Sequence, residues 1–354
     1  MAVEFHPLRV VEVEPLTDDA VAVTFDVPPH LQDEFRYLPG QHVTIRAEVD
    51  GVDVRRSYSI CTNANSGKLR VGIKRLSGGA FSTWATSSLQ AGEILEVMPP
   101  VGEFVIEPDP SAANHYAAIA AGSGITPILS LVSTTLETEP ASRWTLIYGN
   151  RTASSIMFFD EVEGLKDRYP DRLHLIHVLS REEPDLELYA GRIDQEKLAL
   201  LFESVVDADS VDEWFLCGPY EMVMSVRSLL TARGVVDGSI HDELFFAGPV
   251  DPATLVDPEE ATGSVALGIT LGGRTTRTRM DPETSVLDAA LRVRSELPFS
   301  CKGGMCASCK AKVVEGEVRM DKNYALVDSE LEAGYVLTCQ SHPVSDTLVV
   351  DYDV

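Results

Sequence analysis

The 354-residue sequence predicts three successive domains: an antiparallel β-barrel, an α/β domain with a parallel sheet, and a small α+β domain. Three observations lead to this prediction. Short strand-like runs dominate the N-terminal part, strand and helix patterns then alternate, and a proline-rich acidic segment without periodicity precedes a cysteine-rich C-terminal part. We therefore expect domains at 1–108, 109–247 and 265–354, with a linker at 248–264.

The barrel is predicted from six short runs with turn residues such as Pro39-Gly40 and Gly78-Gly79 between them. A single helical pattern, Phe81–Ser88, interrupts the runs. The six runs are Val10–Val13, Ala20–Val27, His42–Glu48, Arg55–Ile60, Leu69–Lys74 and Ile94–Met98.

The parallel sheet is predicted from four apolar runs that alternate with helical patterns, as in βαβ units. The expected strands are His115–Ala121, Trp144–Tyr148, Leu173–Leu179 and Glu213–Leu216. The expected helices are Ile128–Glu137, Met157–Arg168, Asp194–Leu201 and Met222–Arg233. In the last domain, strands Val265–Leu271 and Arg274–Met280 flank the turn Gly272-Gly273, and a helix is expected over Ser285–Arg294.

The overall composition narrows the possible partners. A net charge of −26 argues against binding to nucleic acid or to an anionic membrane surface. No apolar run reaches the roughly 18 residues of a membrane span, and Met1–Val10 does not read as a secretory signal. Nothing suggests that Cys61 and Cys217 pair with each other. We therefore expect a cytoplasmic protein.

Four cysteines near the C-terminus follow the spacing C-x4-C-x2-C…C, which is typical of plant-type [2Fe–2S] centres. Gly303 and Gly304, inside the array, would let the backbone approach the sulfur atoms closely. A structural zinc site or a disulfide set is the alternative, but zinc sites usually use two separated C-x2-C pairs. The spacing favours an iron–sulfur cluster. Its predicted ligands are Cys301, Cys306, Cys309 and Cys339.

The segment Arg56-Ser57-Tyr58-Ser59, at the end of a predicted barrel strand, resembles the R-x-Y-S flavin fingerprint of the ferredoxin–NADP reductase superfamily. An arginine can neutralise a flavin phosphate, a tyrosine offers a flat ring, and a serine hydroxyl can donate to the flavin N5 region. An ordinary surface strand is the alternative interpretation. The resemblance implies FAD rather than FMN.

A second element supports a flavin site. The run from Lys74 through Gly78, Gly79 and Ser82 resembles the superfamily's phosphate element, in which glycine amides and a helix N-terminus face a pyrophosphate. A simple turn is the alternative for the two glycines. Together with R-x-Y-S, this element favours a bound flavin.

A nicotinamide site is predicted where a buried strand meets a helix. The segment with Gly122, Gly124, Thr126 and Pro127 has the superfamily's G-x-G-x-x-P form, which allows a pyrophosphate to approach a helix N-terminus. Two further strand ends resemble cofactor-holding segments of the superfamily. These ends contribute Asn150, Arg151, Cys217, Gly218 and Pro219.

The resemblance also implies roles for individual residues. Cys217 would lie beside the nicotinamide, near Ser59, although a buried core thiol is the alternative. Ser180 and Arg181 resemble the pair that grips the extra phosphate of NADP, so NADPH is expected and NADH remains possible. The superfamily's lysine before Tyr189 is absent. Glu243 lies in a terminal strand that would close over the flavin, or in an ordinary edge strand.

The domain order resembles that of reductase components of bacterial multicomponent oxygenases with a C-terminal ferredoxin domain of the β-grasp type. Residues 5–20 and the tail Cys339–His342 are similar to reductase subunits of the phenylacetyl-CoA epoxidase type. The resemblance implies electron transfer from NAD(P)H through flavin and cluster to a di-iron oxygenase, because a flavin can accept two electrons together and release them singly. A reductase of a Rieske-type steroid or aromatic-ring hydroxylase, and a non-catalytic redox sensor, are the alternatives.

Overall fold

We describe a computed structural model of the protein. The described residues are 5–182, 184, 186–244, 257–258, 261–294, 297–299, 302–304 and 307–354. The predicted linker at 248–264 and residues 245–247 lie largely outside them. Contacts divide the chain into two compact units. The larger contains the first two sheets except for Arg55–Ser57, which belong to the smaller unit together with the sheets after residue 261. Each unit is described by itself.

The first sheet of the larger unit is an antiparallel barrel, as predicted. Its strands have the order β4-β3-β6-β1-β2-β5, and a bridge between Ile60 and Val71 joins the two ends of this order. Alternate side chains such as Val43 and Ile45 point into a buried core. The elements are β1 (His6–Thr17), β2 (Ala20–Asp26), β3 (His42–Val49), β4 (Val52–Ser59), β5 (Leu69–Lys74), α1 (Ala80–Ser87) and β6 (Ile94–Val97).

The second sheet is fully parallel, with the order β11-β10-β7-β8-β9. The strands are β7 (His115–Ala121), β8 (Arg143–Asn150), β9 (Leu173–Leu179), β10 (Glu213–Gly218) and β11 (Ile240–Leu244). The helices are α2 (Ile125–Thr138), α3 (Phe159–Arg168), α4 (Gln195–Ser204) and α5 (Tyr220–Ala232). Because the strands are parallel, all their carboxyl ends lie at one edge, where ligands bind in open α/β sheets.

The start of α2 differs from the expected one. The helix begins at Ile125 and not at Ile128, so Pro127 lies inside its first turn. Proline is tolerated there because the first amide groups of a helix have no partner within the helix. The glycines of the preceding segment therefore lead directly into a helix N-terminus.

Within the larger unit, the barrel and the segment after β4 contact helix α2. The backbone amide of Ala64 donates to Thr134 Oγ1 at 2.9 Å, and Ser130 Oγ donates to the carbonyl of Thr62 at 2.6 Å. A Cβ at Gly72 would lie 2.7 Å from the Thr126 methyl group, so only a glycine fits at this point of β5. These contacts fix the barrel against the parallel sheet.

The smaller unit is a mixed sheet with short helices, which confirms the α+β prediction. Its main sheet has the order β13-β12-β18-β14-β16, in which β12 and β18 are parallel. Helix α6 is shorter than expected at both ends, and Ser285 caps its start by accepting a hydrogen bond from Asp288 N. The elements are β12 (Val265–Leu271), β13 (Arg274–Met280), α6 (Val286–Leu291), β14 (Lys310–Glu315), β15 (Val318–Met320), α7 (Asp328–Glu332), β16 (Tyr335–Leu337), β17 (Ser341–Pro343) and β18 (Thr347–Asp351).

Among the described helices, none combines the length and the apolar character needed to cross a bilayer.

Candidate functional site

The R-x-Y-S segment ends strand β4. The Tyr58 ring lies against the Phe81 ring of α1, with centroids 5.6 Å apart, so its position is set by packing on that helix. Ser59 is buried. Arg56 and Ser57 are half-buried in the same strand, and Arg56 Nη1 donates to the carbonyl of Arg55 at 2.6 Å. The strand thus presents a flat ring next to a buried hydroxyl.

The predicted phosphate element forms a turn in front of α1. Gly78 has φ +74°, and a Cβ there would meet open space, so the backbone is accessible at this point. The hydroxyl of Ser82 accepts from Leu76 N at 3.1 Å and donates to the carbonyl of Gly79 at 3.3 Å, which holds the turn. Lys74 Nζ lies 3.5 Å from Asp19 Oδ1. An open turn at a helix N-terminus fits the diphosphate of a flavin dinucleotide.

The ends of β7 and β10 pack closely together at the carboxyl edge of the parallel sheet. A Cβ at Gly124 would lie 2.2 Å from the carbonyl oxygen of Cys217, so only glycine is accommodated there. Gly122 has φ +54° with open space beside it, and Gly218 has φ +158°. The structure therefore brings two predicted segments, distant in sequence, into one backbone cradle that fits a dinucleotide pyrophosphate.

The remaining predicted residues of these segments lie around the cradle. Thr126 is buried and its hydroxyl donates to the carbonyl of Ser123 at 3.0 Å, which closes the first turn of α2. Pro127 lies in that turn, and Pro219 precedes the first residue of α5. Each proline occupies a position where a helix start needs no amide donor.

Strand ends β8 and β9 bring the predicted phosphate-binding residues together. Ser180 N donates to the carbonyl of Asn150 at 2.9 Å, and Arg181 N donates to the carbonyl of Arg151 at 2.8 Å. Asn150 is 8% exposed, and its Nδ2 has no hydrogen-bond partner among the described residues. A buried amide donor without a partner at a sheet edge fits a site that is completed by a ligand.

Arg192 joins the same edge and was not predicted. The chain returns beside β9 through a parallel bridge between Leu179 and Ala190, and Gly191 N donates to the carbonyl of Leu179 at 2.8 Å. Two residues beyond this bridge, Arg181 and Arg192 occupy equivalent positions on neighbouring segments. Sequence reasoning missed Arg192 because only the folded loop places it beside β9.

The three predicted catalytic residues meet where the barrel contacts the parallel sheet. They are Ser59, Cys217 and Glu243. Ser59 Oγ donates to Glu243 Oε2 at 3.1 Å. Cys217 and Glu243 are register partners of the neighbouring strands β10 and β11. The Glu243 side chain is 10% exposed and the Cys217 side chain is fully buried.

Burial sets the protonation of this cluster. Removal from water raises the pKa of Glu243 from 4.5 to about 7, although the hydrogen bond from Ser59 opposes the change. Burial, and then the neighbouring Glu243 charge, raise the pKa of Cys217 well above its usual value. At neutral pH the cluster therefore contains a neutral thiol and a carboxyl group that is poised to gain or lose a proton.

His42 is a second residue that the sequence did not single out. It is 2% exposed, and its Nδ1 lies 3.9 Å from Glu243 Oε1. Burial lowers its pKa to about 4, so the imidazole is neutral at pH 7. The sequence offered no signal for this residue, since a histidine in a barrel strand is more often an ordinary core side chain.

Two of the four predicted cluster ligands can be located. Cys309 and Cys339 are buried, and Thr338 connects them because its hydroxyl donates to the Cys309 carbonyl at 2.9 Å. Gly304 has φ +80°, and its carbonyl accepts from Tyr324 N at 3.0 Å, which pins the loop before Cys309. Cys301 and Cys306 lie outside the described residues. Two thiols held in register beside a tight loop fit an iron–sulfur centre.

Fold and site together define a class of protein: an oxidoreductase with a flavin barrel, a nicotinamide-binding parallel sheet and a ferredoxin-type domain. Comparison with family models supports each part. Residues 7–106 match an oxidoreductase FAD-binding domain, residues 118–228 an oxidoreductase NAD-binding domain, and residues 269–344 a 2Fe-2S iron–sulfur cluster binding domain.

The chain is 46% identical to the E subunit of the 1,2-phenylacetyl-CoA epoxidase of Escherichia coli (strain K12), over 99% of this chain and 98% of that protein. It is 32% identical to the ferredoxin reductase component of 3-ketosteroid-9-alpha-monooxygenase of Rhodococcus rhodochrous, over 95% and 93% of the two chains. The chain belongs to this family of oxygenase reductase components.

A solved structure supports the fold. Phthalate dioxygenase reductase, described as a modular structure for electron transfer from pyridine nucleotides to [2Fe-2S], aligns with a TM-score of 0.56 at 24% identity. The alignment covers 98% of each chain. The three predicted fold types therefore occur together in a solved relative.

Proposed function

We propose that this protein transfers electrons from NADPH through FAD and a [2Fe–2S] cluster to the di-iron oxygenase component of a phenylacetyl-CoA 1,2-epoxidase complex. The observation that carries the proposal is the 46% identity to the E subunit of such an epoxidase over nearly the full length of both chains. The three family models support the domain division 1–108, 109–247 and 265–354, with a linker at 248–264.

When bound, the flavin and the cluster supply the redox chemistry, namely acceptance of two electrons as hydride and their release one at a time. The chain's own residues bind and orient. In this proposal Tyr58 packs against the isoalloxazine, and Arg56, Ser57 and the turn at Gly78 hold the phosphate groups. Lys74, Gly79 and Ser82 shape that turn.

Ser59, Cys217 and Glu243 are proposed to line the place where a bound nicotinamide would meet a bound flavin. The buried thiol of Cys217 stays neutral because its pKa lies well above neutral pH. In this proposal it also excludes water beside the nicotinamide. Glu243 holds a proton near pH 7 and positions the Ser59 hydroxyl through their 3.1 Å hydrogen bond. Such a carboxyl suits a site that exchanges a proton during flavin reduction.

The pyrophosphate of the nicotinamide nucleotide is proposed to bind in the cradle at Gly122, Gly124 and Gly218. Thr126, Pro127 and Pro219 lie at the adjacent helix starts.

The preference for NADPH over NADH is proposed from the charge at the neighbouring sheet edge. Arg151, Arg181 and Arg192 lie on three adjacent backbone segments, all are exposed, and none forms an ion pair with a described residue. In a chain with a net charge of −26, three unpaired guanidinium groups at one sheet edge favour a phosphate monoester. Ser180 and Asn150 supply neighbouring polar groups.

Anaerobic titration of the purified holoprotein with NADPH and with NADH tests the cofactors. We expect bleaching of the flavin absorbance and a rhombic S = 1/2 EPR signal, at lower concentrations of NADPH than of NADH. A colourless protein, or no EPR signal after reduction, contradicts the proposal. The acceptor is then tested by adding purified phenylacetyl-CoA epoxidase oxygenase subunits and measuring NADPH oxidation that depends on phenylacetyl-CoA.

A second acceptor is supported by a separate observation. The relatives at 32–34% identity include 3-ketosteroid monooxygenase reductase components from Rhodococcus rhodochrous and Mycolicibacterium smegmatis. If the protein serves such an oxygenase, turnover with the steroid oxygenase component will exceed turnover with the epoxidase subunits. A non-catalytic redox sensor would show no appreciable NADPH oxidation even with an artificial acceptor.

A cytoplasmic location is proposed on the basis of cysteine chemistry. Cys61 and Cys217 are buried free thiols, which are typical of proteins in a reducing compartment. Cell fractionation with an antibody to the chain tests this location.

A further inference from the structure

His42 is held rigidly at the edge of the cluster formed by Ser59, Cys217 and Glu243. Its backbone forms an antiparallel bridge to Val101, with hydrogen bonds of 3.0 Å and 2.9 Å in the two directions. The next residue, Gly102, leaves room for the imidazole, because a Cβ there would lie 2.9 Å from His42 Nδ1. The backbone on both sides therefore directs one ring nitrogen to a fixed place.

Neither ring nitrogen of His42 has a hydrogen-bond partner among the described residues, although the side chain is 2% exposed. Buried polar groups are almost always hydrogen-bonded, so an exception calls for an explanation. Among the described residues, Glu243 Oε1 is a candidate partner, at 3.9 Å from Nδ1. Closing that gap by about 1 Å gives an ordinary hydrogen bond.

Among the described residues, Glu243 on strand β11 lies 3.9 Å from the imidazole. Its register partner on β10, Cys217, is a neutral thiol. Glu103, next to Gly102 in the chain, is exposed. Glu243 Oε2 accepts the hydrogen bond from Ser59, and Glu243 Oε1 faces His42, so the carboxyl group lies between these two barrel residues.

We propose that His42 is a positioning residue for Glu243, and that the two side chains share a single proton between Nδ1 and Oε1. When the proton moves from the carboxyl group to Nδ1, the carboxyl becomes a carboxylate and the imidazole becomes an imidazolium. The pair keeps a net charge of zero, so the transfer needs no outside donor and avoids an isolated buried charge. The low intrinsic basicity of His42 places the proton mainly on Glu243.

The inference rests on the proposed role of Glu243, but the pair can be tested without catalysis. Holoprotein labelled with ¹⁵N-histidine is titrated in the oxidised state over about pH 5 to 9, with no nucleotide added, and the His42 resonances are assigned by their loss in His42→Asn. We expect the Nδ1 shift of His42 to change with a midpoint near pH 7, the midpoint of Glu243. In Glu243→Gln this step is lost. If the His42 shifts stay flat through that range, or change equally in Glu243→Gln, the pair does not share a proton.

His174→Asn is the matched control. His174 lies on β9, at the opposite edge of the parallel sheet from β11, and its side chain is exposed. The control variant should keep the His42 titration unchanged. If His42→Asn does not fold, the comparison of wild type with Glu243→Gln still decides the question.

Catalysis then gives a separate readout. Stopped-flow rates of flavin reduction by NADPH should lose their dependence on pH near 7 in Glu243→Gln, and His42→Asn should shift that dependence by roughly one pH unit. Adding His42→Asn to Glu243→Gln should have no further effect on the pH profile. A shared proton in the NMR titration together with a wild-type pH profile in Glu243→Gln would refute the proposed role of Glu243 and leave the pair intact.

Discussion

Ser59 and Glu243 are joined by a 3.1 Å hydrogen bond although they lie 184 positions apart in the chain. The bond connects the end of barrel strand β4 with β11, the edge strand of the parallel sheet. It places a carboxyl group with a raised pKa at the point where both cofactor-binding folds meet. Replacement of Glu243 should therefore change both the chemistry of the site and the pH dependence of folding.

Glu243→Gln should change how stability depends on pH. In the folded protein the pKa of Glu243 is about 7, whereas the ordinary value is 4.5, so the folded state binds this proton more tightly than the unfolded state. The favourable contribution is complete below pH 4.5 and is lost as pH rises through 7, at a cost of up to about 3 kcal/mol. Glutamine keeps the hydrogen bond from Ser59 without the charge. Relative to wild type, the variant should gain stability between pH 5 and pH 8, as thermal unfolding at a series of pH values will show.

Glu213→Gln is the control for this experiment. Glu213 lies on the neighbouring strand β10, and its partly exposed side chain pairs with His241 at 3.0 Å. Removal of the Glu213 charge should not reproduce the gain in stability between pH 5 and pH 8. Equal pH dependence of Glu243→Gln and wild type would mean that Glu243 ionises normally.

Gly124→Ala should destabilise the protein and weaken nucleotide binding. Its Cβ would lie 2.2 Å from the Cys217 carbonyl oxygen, a backbone atom that cannot move aside without shifting β10. We expect a loss of roughly 1–3 kcal/mol. Gly164→Ala, in the middle of α3 with open space around its Cβ, should instead stabilise by about 0.5–1 kcal/mol. Denaturant unfolding measures the free energy of unfolding of both variants. An unchanged free energy of unfolding in Gly124→Ala would contradict the close packing of β7 and β10.

Arg181→Ala and Arg192→Ala should each raise the KM for NADPH by about tenfold or more and leave the KM for NADH nearly unchanged. Loss of a charge-assisted hydrogen bond to a phosphate costs roughly 1.5–3 kcal/mol, and NADH lacks that phosphate. Arg168→Ala, an exposed arginine at the end of α3, is the control. Steady-state kinetics with ferricyanide as acceptor measures all of these values. Equal losses with both nucleotides would place the arginines outside the 2′-phosphate site.

Cys339→Ser should abolish the iron–sulfur cluster while flavin reduction continues. A hydroxyl is a poor substitute for a thiolate ligand, so the reduced variant should show no S = 1/2 signal. NADPH-to-ferricyanide activity should persist, and one-electron reduction of cytochrome c should fall sharply. Cys61→Ser, which alters a buried thiol of the barrel, should retain the cluster. A full EPR signal in Cys339→Ser would exclude this residue as a ligand.

Much of the architecture could be predicted because its signals are local. The continuous apolar run His115–Ala121 became β7 with identical bounds, and Leu173–Leu179 became β9 in the same way. Boundaries were wrong where a single residue decided them. Helix α2 begins at Ile125 and not at Ile128, because the first turn of a helix tolerates Pro127. Ser285 ended up as the cap of α6 and not as its first residue.

The candidate site was predicted only in pieces. Gly122, Gly124 and the cysteine spacing could be recognised from short stretches of sequence, because tight turns restrict which residue types can occupy them. Arg192 and His42 carry no such signal. Their importance comes from what lies beside them after folding, namely β9 in one case and Glu243 in the other.

By itself, the sequence determined the order of the three fold types, the R-x-Y-S strand, the glycine cradles and the cysteine array, since each depends on residues close together in the chain. Only the tertiary structure decided which strand ends become neighbours. It placed Glu243 between Ser59 and His42 and buried all three side chains. The physical reason is that protonation and hydrogen bonding depend on distance and on removal from water, and sequence separation encodes neither.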